Sequence, residues 1–540
     1  MSNNRGNKLL KIHERMKDVR RRGNFEDQWI DATTYVLPRK DDIHDWNVRV
    51  EGEKKNLRLY DSTAQHINEL FAAALMTFMT NPATQWFELA TGIPEIDRIP
   101  RVKRYFQEVT KRFHKLLSAS NFYTELAECN LDLGALGTDV LYQDDDPDFV
   151  FRFMSLPIFQ FFIKENWKGE VDTVSREMKM SVRQGIQQYG EKVFHTPEMK
   201  TILEDKSKDI EVVNIVMPRL DADGMSPKSF PFASFHIEKS TGTILKESGF
   251  REMPYIVSRW TKTSGEVHGR GPAMKAMPDI KMMQSMMKTT LRGAQKIVDP
   301  PLLIPDDGVI GRVNTTPGGL NSFRSGTKDR IEPLQTGGNP GIGVDLLKVF
   351  EEKIKKAFFA DQLQLREADR MTATEVDQRT DEALRLFGPN MVRQQTEKLQ
   401  PMVSRGLGQM KRAGEMPEDF PPELEGISPK VFYVSQIAKA QRLGDLQSLN
   451  LFVTSIQAPI QLDPSTYDLI NSERLVREYQ DLTGAPESIF ATEEELEEKR
   501  ALRRQKIQKQ EQEQTELLQA EVAQKAGPTV LDGLKQLEEG

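Results

Sequence analysis

Acidic residues gather in one short stretch that has the composition of a divalent-cation site. Carboxylates held close together bind Mg²⁺, and metal-dependent nucleases use ligands of this kind. Four of them lie between two strand-like patterns: Asp144, Asp145, Asp146 and Asp148. Because DDDPD between two strands is also typical of a solvated hairpin turn, the turn is the favoured interpretation. A metal-dependent DNA-processing enzyme, such as a nuclease that uses these carboxylates, stays open as a less favoured function.

Other residue types with catalytic potential do not form a recognisable motif. The seven histidines lack the H-E-x-x-H spacing of a zinc site. Asp221 and Asp223 lack the closing Glu of a calcium loop. The glycine-rich stretch 336–343 lacks the Lys-Ser/Thr ending of a phosphate loop, and Arg270 in VHGRGPA fits a tight turn before a helix. We therefore predict no catalytic residue, no metal and no cofactor.

Charge and composition exclude several further classes. The chain has 540 residues, with 74 Lys and Arg against 81 Asp and Glu, so its formal charge is −7. Proteins that coat nucleic acid through surplus positive charge are excluded by this balance. The single Cys129 excludes an intrachain disulfide and is typical of a reducing compartment. No run of about 18 apolar residues occurs, so we expect no membrane insertion.

One helical pattern combines methionines with a row of basic residues. Residues 275–298 contain five Lys and Arg against Asp279 alone, although exposed helix faces usually interleave acids four residues from bases. At about 100° per residue, four of these cations fall in one sector opposite the apolar residues: Lys281, Lys288, Arg292 and Lys296. Two interpretations stay open, a core helix with a solvated basic back and a helix that faces something anionic.

Around these residues the periodicity predicts a mainly helical α+β fold. Helices are expected before residue 137, and short strands with turns between them over 138–260. A helix from Pro272 or Pro278 to Val298, an irregular stretch over 299–343 and an amphipathic helix over 344–360 predict an antiparallel helix pair with a small non-helical module at its tip.

The sequence pattern also predicts helices in the last third of the chain. A long helix begins at Thr372 with a capping box and is interrupted by Pro389 and Pro401, which predicts a kink. A polar helix covers 492–526. Its apolar residues keep no strict heptad register, so a coiled-coil scaffold protein is only a further alternative.

Several stretches together resemble the portal proteins, or head-to-tail connectors, of short-tailed double-stranded-DNA bacteriophages. Their order and spacing carry the resemblance, rather than any one motif. The matching stretches are LYDSTAQHINELFAAALMTFMTNPATQWFELA, LGALGTDVLYQDD, GEVDTVSREMKMS, GRGPAMKAMPDIKMMQSMMKTTLRGAQKIVDPPLLIPDDG and RMTATEVDQR. The resemblance covers about residues 10 to 410.

This resemblance implies a structural virion protein and not an enzyme. Twelve copies would form a ring at one capsid vertex, through which DNA is packaged and ejected. The implied divisions are a wing over 1–270, a first stem helix over 271–298, a clip over 299–343, a second stem helix over 344–360, a tunnel loop over 361–371, a kinked helix and the rest of the wing over 372–465, crown helices over 466–526 and a mobile tail over 527–540.

The same resemblance implies the partners and the residues that meet DNA. Expected partners are further copies of the chain, double-stranded DNA, terminase, the major capsid and scaffolding proteins, and tail adaptor proteins. The location would be the portal vertex of the virion, after assembly in the host cytoplasm. Of the two interpretations of the basic helix, the resemblance favours a channel-facing row of Lys281, Lys288, Arg292 and Lys296. Arg366 and Arg370 would approach DNA from the tunnel loop.

Overall fold

The fold is mixed α+β and mainly helical, as predicted. The computed structural model describes residues 2–40, 59–193, 209–219, 227–306, 309–326, 328, 330–334, 340–360, 388–434, 444–456, 463, 469–483, 485, 489 and 493–526. Two compact units divide the chain: the first comprises 1–89, 108–418 and 429–439, and the second 90–107, 419–428 and 440–540. Within the described part, no helix is long and apolar enough to span a membrane.

Helices make up most of the chain that the structure describes, and the helix predicted over 344–360 begins at Pro340 and ends at Ala357. The helices are α1 (Ser2–Arg22), α2 (Phe25–Tyr35), α3 (Thr63–Met79), α4 (Pro94–Asp97), α5 (Pro100–Ala119), α6 (Phe122–Leu136), α7 (Val182–Tyr189), α8 (Pro272–Val298), α9 (Pro340–Ala357), α10 (Gln400–Ala413), α11 (Ser472–Thr483) and α12 (Glu493–Ala526). Residues 388–394 and 444–456 are also α-helical. Pro272 stands in the first turn of α8, whereas Pro278 lies inside the helix.

The strands form two larger antiparallel sheets and three two-stranded pairs. The strands are β1 (Phe87–Ala90), β2 (Thr138–Asp146), β3 (Val150–Leu156), β4 (Phe161–Glu165), β5 (Val171–Ser181), β6 (Asp209–Pro218), β7 (Phe232–Glu238), β8 (Ile244–Phe250), β9 (Tyr255–Arg259), β10 (Leu302–Leu303), β11 (Val309–Ile310), β12 (Ser322–Phe323), β13 (Glu332–Pro333) and β14 (Lys430–Tyr433). The sheet orders are β3-β2-β9 and β4-β5-β6-β7-β8, and the pairs are β1-β14, β10-β13 and β11-β12.

The five-stranded sheet is covered on both faces, and its central strand shows why. Along β6, Val213 and Ile215 belong to a cluster with Leu9 of α1, while Ile210 and Val212 belong to one with Val182 of α7. Successive residues of a strand point to opposite faces, so one apolar strand supplies both clusters. The sheet is therefore a layer between two helices.

The main core of the first unit lies where α2, α3, α6 and the helix pair α8 and α9 meet. Trp29 is fully buried there and donates from Nε1 to the carbonyl of Leu136 at 3.0 Å. Phe71 of α3 packs edge-on against Trp260 and Phe358, with ring centroids 4.9 and 6.2 Å apart. One end of the helix pair is thereby built into this core.

In the second unit, a side chain closes the turn before α4. The carboxylate of Asp97 accepts hydrogen bonds from the backbone N–H and the hydroxyl of Thr91, both at 2.7 Å. Tyr105 packs edge-on against Phe420 at 5.6 Å between ring centroids. The side chains of α12 that the structure describes are exposed, except for the half-buried Leu496.

The predicted break in the late helix takes a specific form. Residues 395–399 form a π-helical turn directly before α10, whose first turn contains Pro401. Proline has no backbone N–H, so regular α-helical bonding cannot continue through this point. Three predictions lie outside the described residues: the helix start at Thr372, the tunnel loop with Arg366 and Arg370, and the tail over 527–540.

Candidate nucleic-acid interface

The helices α8 and α9 run antiparallel, as predicted. Gly343 approaches Thr290 so closely that a Cβ built at Gly343 would lie 2.6 Å from the Thr290 Oγ1 atom. Further along, the Lys353 Nζ atom lies 4.0 Å from the Asp279 Oδ1 atom. From the first contact to the second, the residue number rises along α9 and falls along α8, so the two helices are antiparallel. We call α8 and α9 the helix pair.

The half of the helix pair near residue 272 is anchored in the protein. Ala276, Ile280 and Met283 of α8 are buried in the main core, as is Ile354 of α9. Gln284 is also buried, where its side chain accepts from the backbone N–H of Tyr60 at 2.8 Å and donates to the carbonyl of Asp61 at 2.6 Å. These hydrogen bonds satisfy a buried amide and fix the rotation of α8.

Two of the four predicted channel residues contact this anchored region. The Lys281 Nζ atom lies 2.6 Å from the Asp31 Oδ2 atom and 5.9 Å from the centre of the Tyr35 ring. Lys288 is half-buried, with its ammonium 5.3 Å from the centre of the Tyr60 ring. Both cations therefore have partners within their own chain.

The other two predicted residues are differently placed. Arg292 and Lys296 are exposed, and neither forms an ion pair with a residue that the structure describes. They lie on the part of the helix pair furthest from the main core, residues 289–298 and 340–346, which we call the distal half. The predicted row of four cations thus divides into two partnered and two free residues.

The distal half also exposes apolar side chains. Leu291 is 48% exposed, Val298 85% and Val344 46%, although the sequence pattern placed Leu291 and Val298 on the packed side of α8. An isolated antiparallel pair buries only the stripe between its two helices, so the remaining apolar side chains stay open to solvent. The distal half therefore has apolar surface as well as free cations.

A small β module joins the two helices at the distal end. The pair β10-β13 lies next to the helices, and β11-β12 is nested beyond it. Beyond β11, Asn314 and Asn321 bond each other: the Asn314 N–H donates to the Asn321 side chain at 2.6 Å, and Asn321 returns a bond to the Asn314 carbonyl at 2.9 Å. Apolar side chains are exposed here too, with Ile310 58% and Leu320 92% exposed.

The strongest electrostatic feature was not predicted from the sequence. Arg259 at the end of β9 is almost fully buried and uses all five N–H donors. It bonds both oxygens of Glu397 at 3.0 and 2.8 Å, the carboxylate of Glu165, and the carbonyls of Val267 and Gly169 at 3.1 Å each. Burial lowers the pKa of Arg259, but Glu397 and Glu165 raise it by more, so the guanidinium stays charged.

Further buried polar residues continue from Arg259 along the late helix. The Lys398 Nζ atom lies 2.8 Å from the Asp139 Oδ2 atom, and Arg405 donates to the carbonyls of Gln143 and Glu252 at 3.0 Å each. We call this set the polar seam: Arg259, Glu165, Glu397, Lys398, Asp139, Arg405, Gln143 and Glu252. The sequence gives one sign of these buried charges: Glu397, Lys398 and Arg405 lie among apolar residues on the buried face of the late helix.

The acidic stretch is a hairpin turn, as favoured. The Asp146 carboxylate accepts from the backbone N–H groups of Asp148 and Phe149 at 2.8 and 3.0 Å, which closes the turn between β2 and β3. Asp145 lies 3.3 Å from a nitrogen of Arg412. Within the described ranges, no group of three His, Cys, Asp or Glu residues is placed to hold a metal ion.

The segment VHGRGPA is also a turn, as favoured. Arg270 and Thr261 exchange backbone hydrogen bonds, of which the Arg270 N–H donates at 2.8 Å. The Arg270 side chain is held by Glu266, whose carboxylate accepts from Nε at 2.9 Å. Arg270 is therefore committed to the turn that precedes α8.

Comparison with known proteins gives one family and two relatives. The family described as bacteriophage head to tail connecting protein matches residues 7–490. A probable portal protein of Bordetella phage BPP-1 is 30% identical over 488 residues, which cover 86% of this chain and 85% of that protein. The portal protein of Salmonella phage epsilon15 is 28% identical over 505 residues, which cover 91% and 89%.

Proposed function

The chain belongs to the bacteriophage head to tail connecting protein family, and we propose that twelve copies of it form a ring around a DNA channel at one capsid vertex. It is a structural component of the virion, with the role of a phage portal, as its relatives are named. Proteins of this kind associate with copies of themselves and join the capsid to the tail.

One observation supports the ring more than any other. The helix pair is anchored at one end and ends in an exposed β module, while its distal half leaves Leu291, Val298 and Val344 open to solvent. Apolar surface of this kind is normally covered by a partner. In our proposal the neighbouring copies cover it, the helix pair is the stem and the β module is the clip.

We place the basic row of α8 on the channel side of the stem. Arg292 and Lys296 supply free positive charge, while Lys281 and Lys288 hold the helix against its own chain. A channel must bind DNA weakly, because every phosphate that a fixed cation neutralises releases counterions and adds affinity. Two free cations of this row per copy, in an acidic protein, are consistent with guidance rather than tight binding.

The remaining assignments follow from the family alone. Arg366 and Arg370 on the tunnel loop would approach the same DNA. The clip would receive terminase during packaging and tail adaptor proteins afterwards, and the wing would meet the major capsid and scaffolding proteins. Assembly would take place in the host cytoplasm. Nothing described favours the nuclease or the coiled-coil scaffold over this function.

Electron microscopy of the purified full chain tests the ring. We expect closed rings with a central hole, and image classes should give twelve subunits. Discrete monomers at high protein concentration would overturn the proposal. Rings with another subunit number would correct the count without removing the channel.

Charge reversal tests the channel face. In phage particles complemented with Arg292→Glu and Lys296→Glu together, we expect fewer DNA-filled heads while the purified variant still forms rings. The matched control is Lys111→Glu with Lys115→Glu, which makes the same charge change at two exposed residues of α5. Normal packaging in the α8 variant, or an equal loss in the control, would remove Arg292 and Lys296 from the channel.

A further inference from the structure

The first helix carries a second basic surface, which the function above does not use. Residues 2–22 contain eight Lys and Arg against Glu14 and Asp18, a local charge of +6 in a chain of −7. Exposed helix faces usually balance bases with acids three or four residues away. Arg5, Lys17 and Arg20 are paired with Glu247, Glu177 and Glu26, which leaves five bases against two acids on α1.

Contacts with the five-stranded sheet fix which side of α1 faces solvent. Leu9 and Met16 are buried, and His13 bonds the Ser175 hydroxyl at 2.8 Å and the Glu177 carboxylate at 2.9 Å. Arg20 is also buried and donates to the carbonyls of Phe159 and Phe161 at 2.8 Å each. Because these contacts lie along the helix, α1 cannot rotate without losing them.

The opposite side presents a straight row of cations. At about 100° per residue, four exposed residues fall within a sector of roughly 60°: Lys8, Lys11, Arg15 and Arg22. We call them the basic stripe. None of the four forms an ion pair with a described residue, and neither do Glu14 and Asp18 along one edge of the stripe. Their charge is therefore available to a partner.

We propose that the basic stripe binds the phosphate backbone of double-stranded DNA outside the channel. Lys8 and Arg22 are 14 positions apart, or about 21 Å at 1.5 Å per residue. A duplex of that length carries about six phosphates on each strand, so all four cations can reach one. We expect this contact to be independent of base sequence, because phosphate contacts position a duplex whereas contacts with base edges recognise its sequence.

The chemistry of the stripe selects DNA over an acidic protein. Protein interfaces depend on buried apolar or aromatic anchors, and the exposed side of α1 offers only Val19. Interfaces with a nucleic-acid backbone are polar and strongly basic, as the stripe is. The proposal goes beyond the portal function and shares with it only that the protein meets DNA.

Salt dependence of duplex binding tests the stripe directly. Fluorescence anisotropy with the full chain and a 30-base-pair duplex gives the dissociation constant from 50 to 200 mM NaCl. Lys11→Gln with Arg15→Gln should reduce the log–log salt slope by about two and weaken binding by roughly tenfold at 100 mM, because two phosphate contacts are lost. Lys111→Gln with Lys115→Gln should change the dissociation constant less than twofold.

The other outcomes separate this proposal from the channel. If Arg292→Gln with Lys296→Gln lowers the slope and the stripe variant does not, the DNA contact is in the stem and the stripe proposal is wrong. An equal loss in the Lys111 and Lys115 variant would assign the effect to net charge alone and would also overturn the stripe proposal. Tighter binding of polyglutamate than of duplex would mean that the partner is an acidic protein. Absence of rings in microscopy would overturn the proposed ring and leave the stripe result standing.

Discussion

Lysine and arginine occupy two opposite environments in the first unit. In the polar seam, Arg259, Lys398 and Arg405 are buried and held by carboxylates or carbonyls. In the distal half of the helix pair, Arg292 and Lys296 are exposed and have no described partner. The two sets therefore differ in whether the chain itself satisfies the charge, and the free cations are the ones available for binding.

The seam also ties together parts of the chain that are far apart in sequence. Arg259 joins β9 to the hairpin β4-β5 through Glu165 and to the late helix through Glu397. Removing one member of a buried ion pair leaves the other charged and unsolvated. Substitutions in the seam should therefore lower stability much more than substitutions in the distal half.

The largest expected effect is at Arg259. Replacement by Met leaves Glu165 and Glu397 without their shared guanidinium and should lower the free energy of unfolding by about 3–5 kcal/mol. Urea denaturation of the full chain, followed by the fluorescence of the buried Trp29 and Trp260, measures it. Adding Glu397→Met should recover part of the loss, since Glu397 is the carboxylate left without a cation, whereas Glu165 keeps its ion pair with Lys262.

An exposed ion pair of the same unit provides the control. Arg5 bonds Glu247 at 3.1 Å, and its side chain is 55% exposed. Exposed pairs contribute about 0–1 kcal/mol, so Arg5→Met should change the unfolding free energy by no more than that. Equal losses in the Arg259 and Arg5 variants would contradict the distinction between buried and exposed cations.

A pH effect is expected from a histidine beside the seam. Burial, with smaller contributions from Arg20 and Arg259, lowers the pKa of His268 to about 3. The folded state therefore binds fewer protons than the unfolded state between pH 3 and the unfolded pKa near 6.5. The stability that this neutral histidine contributes is complete above pH 6.5 and is lost as the pH falls, by about 1.4 kcal/mol between pH 7.5 and 5.5.

Two variants isolate the part due to His268. His268→Gln cannot titrate in this range, so its unfolding free energy should fall less with pH than that of the parent chain. The matched control is His66→Gln, which replaces an exposed histidine of α3. If the His268 and His66 variants follow the same pH curve as the parent, His268 does not contribute to the loss of stability.

Local sequence patterns predicted the elements but not what surrounds them. The hairpin at Asp146 and the limits of α8 follow from turn residues and periodicity, which act over a few positions. The sequence predicted short strands over 138–260 but not their partners: β9 pairs with β2, and β4 and β5 join the later strands. Strand partners and the neighbours of Lys281 or Arg259 depend on contacts between distant segments, which no local pattern records.

A smaller effect is expected within the helix pair. Alanine at Gly343 places a Cβ against Thr290, and such overpacking costs about 1–3 kcal/mol, of which better helix propensity offsets about 1. Gly293→Ala is the matched control, because a Cβ there meets nothing within 4 Å, and it should stabilise by up to about 1 kcal/mol. Adding Thr290→Ala to Gly343→Ala should relieve the clash. If Thr290→Ala does not restore the unfolding free energy, the contact between Gly343 and Thr290 is not the cause of the loss.

The smallest effect on stability is expected at the free cations themselves. Arg292→Gln with Lys296→Gln removes no described ion pair and buries no new group, so the unfolding free energy should change by less than about 0.5 kcal/mol. The same variant should nevertheless alter DNA packaging if the distal half lines the channel. A loss above about 2 kcal/mol would show that these cations stabilise the fold, as Arg259 does, and would end the contrast between the seam and the distal half. A role in binding predicts unchanged stability together with changed packaging. In that case the fold does not need the two positive charges, whereas the passage of DNA does.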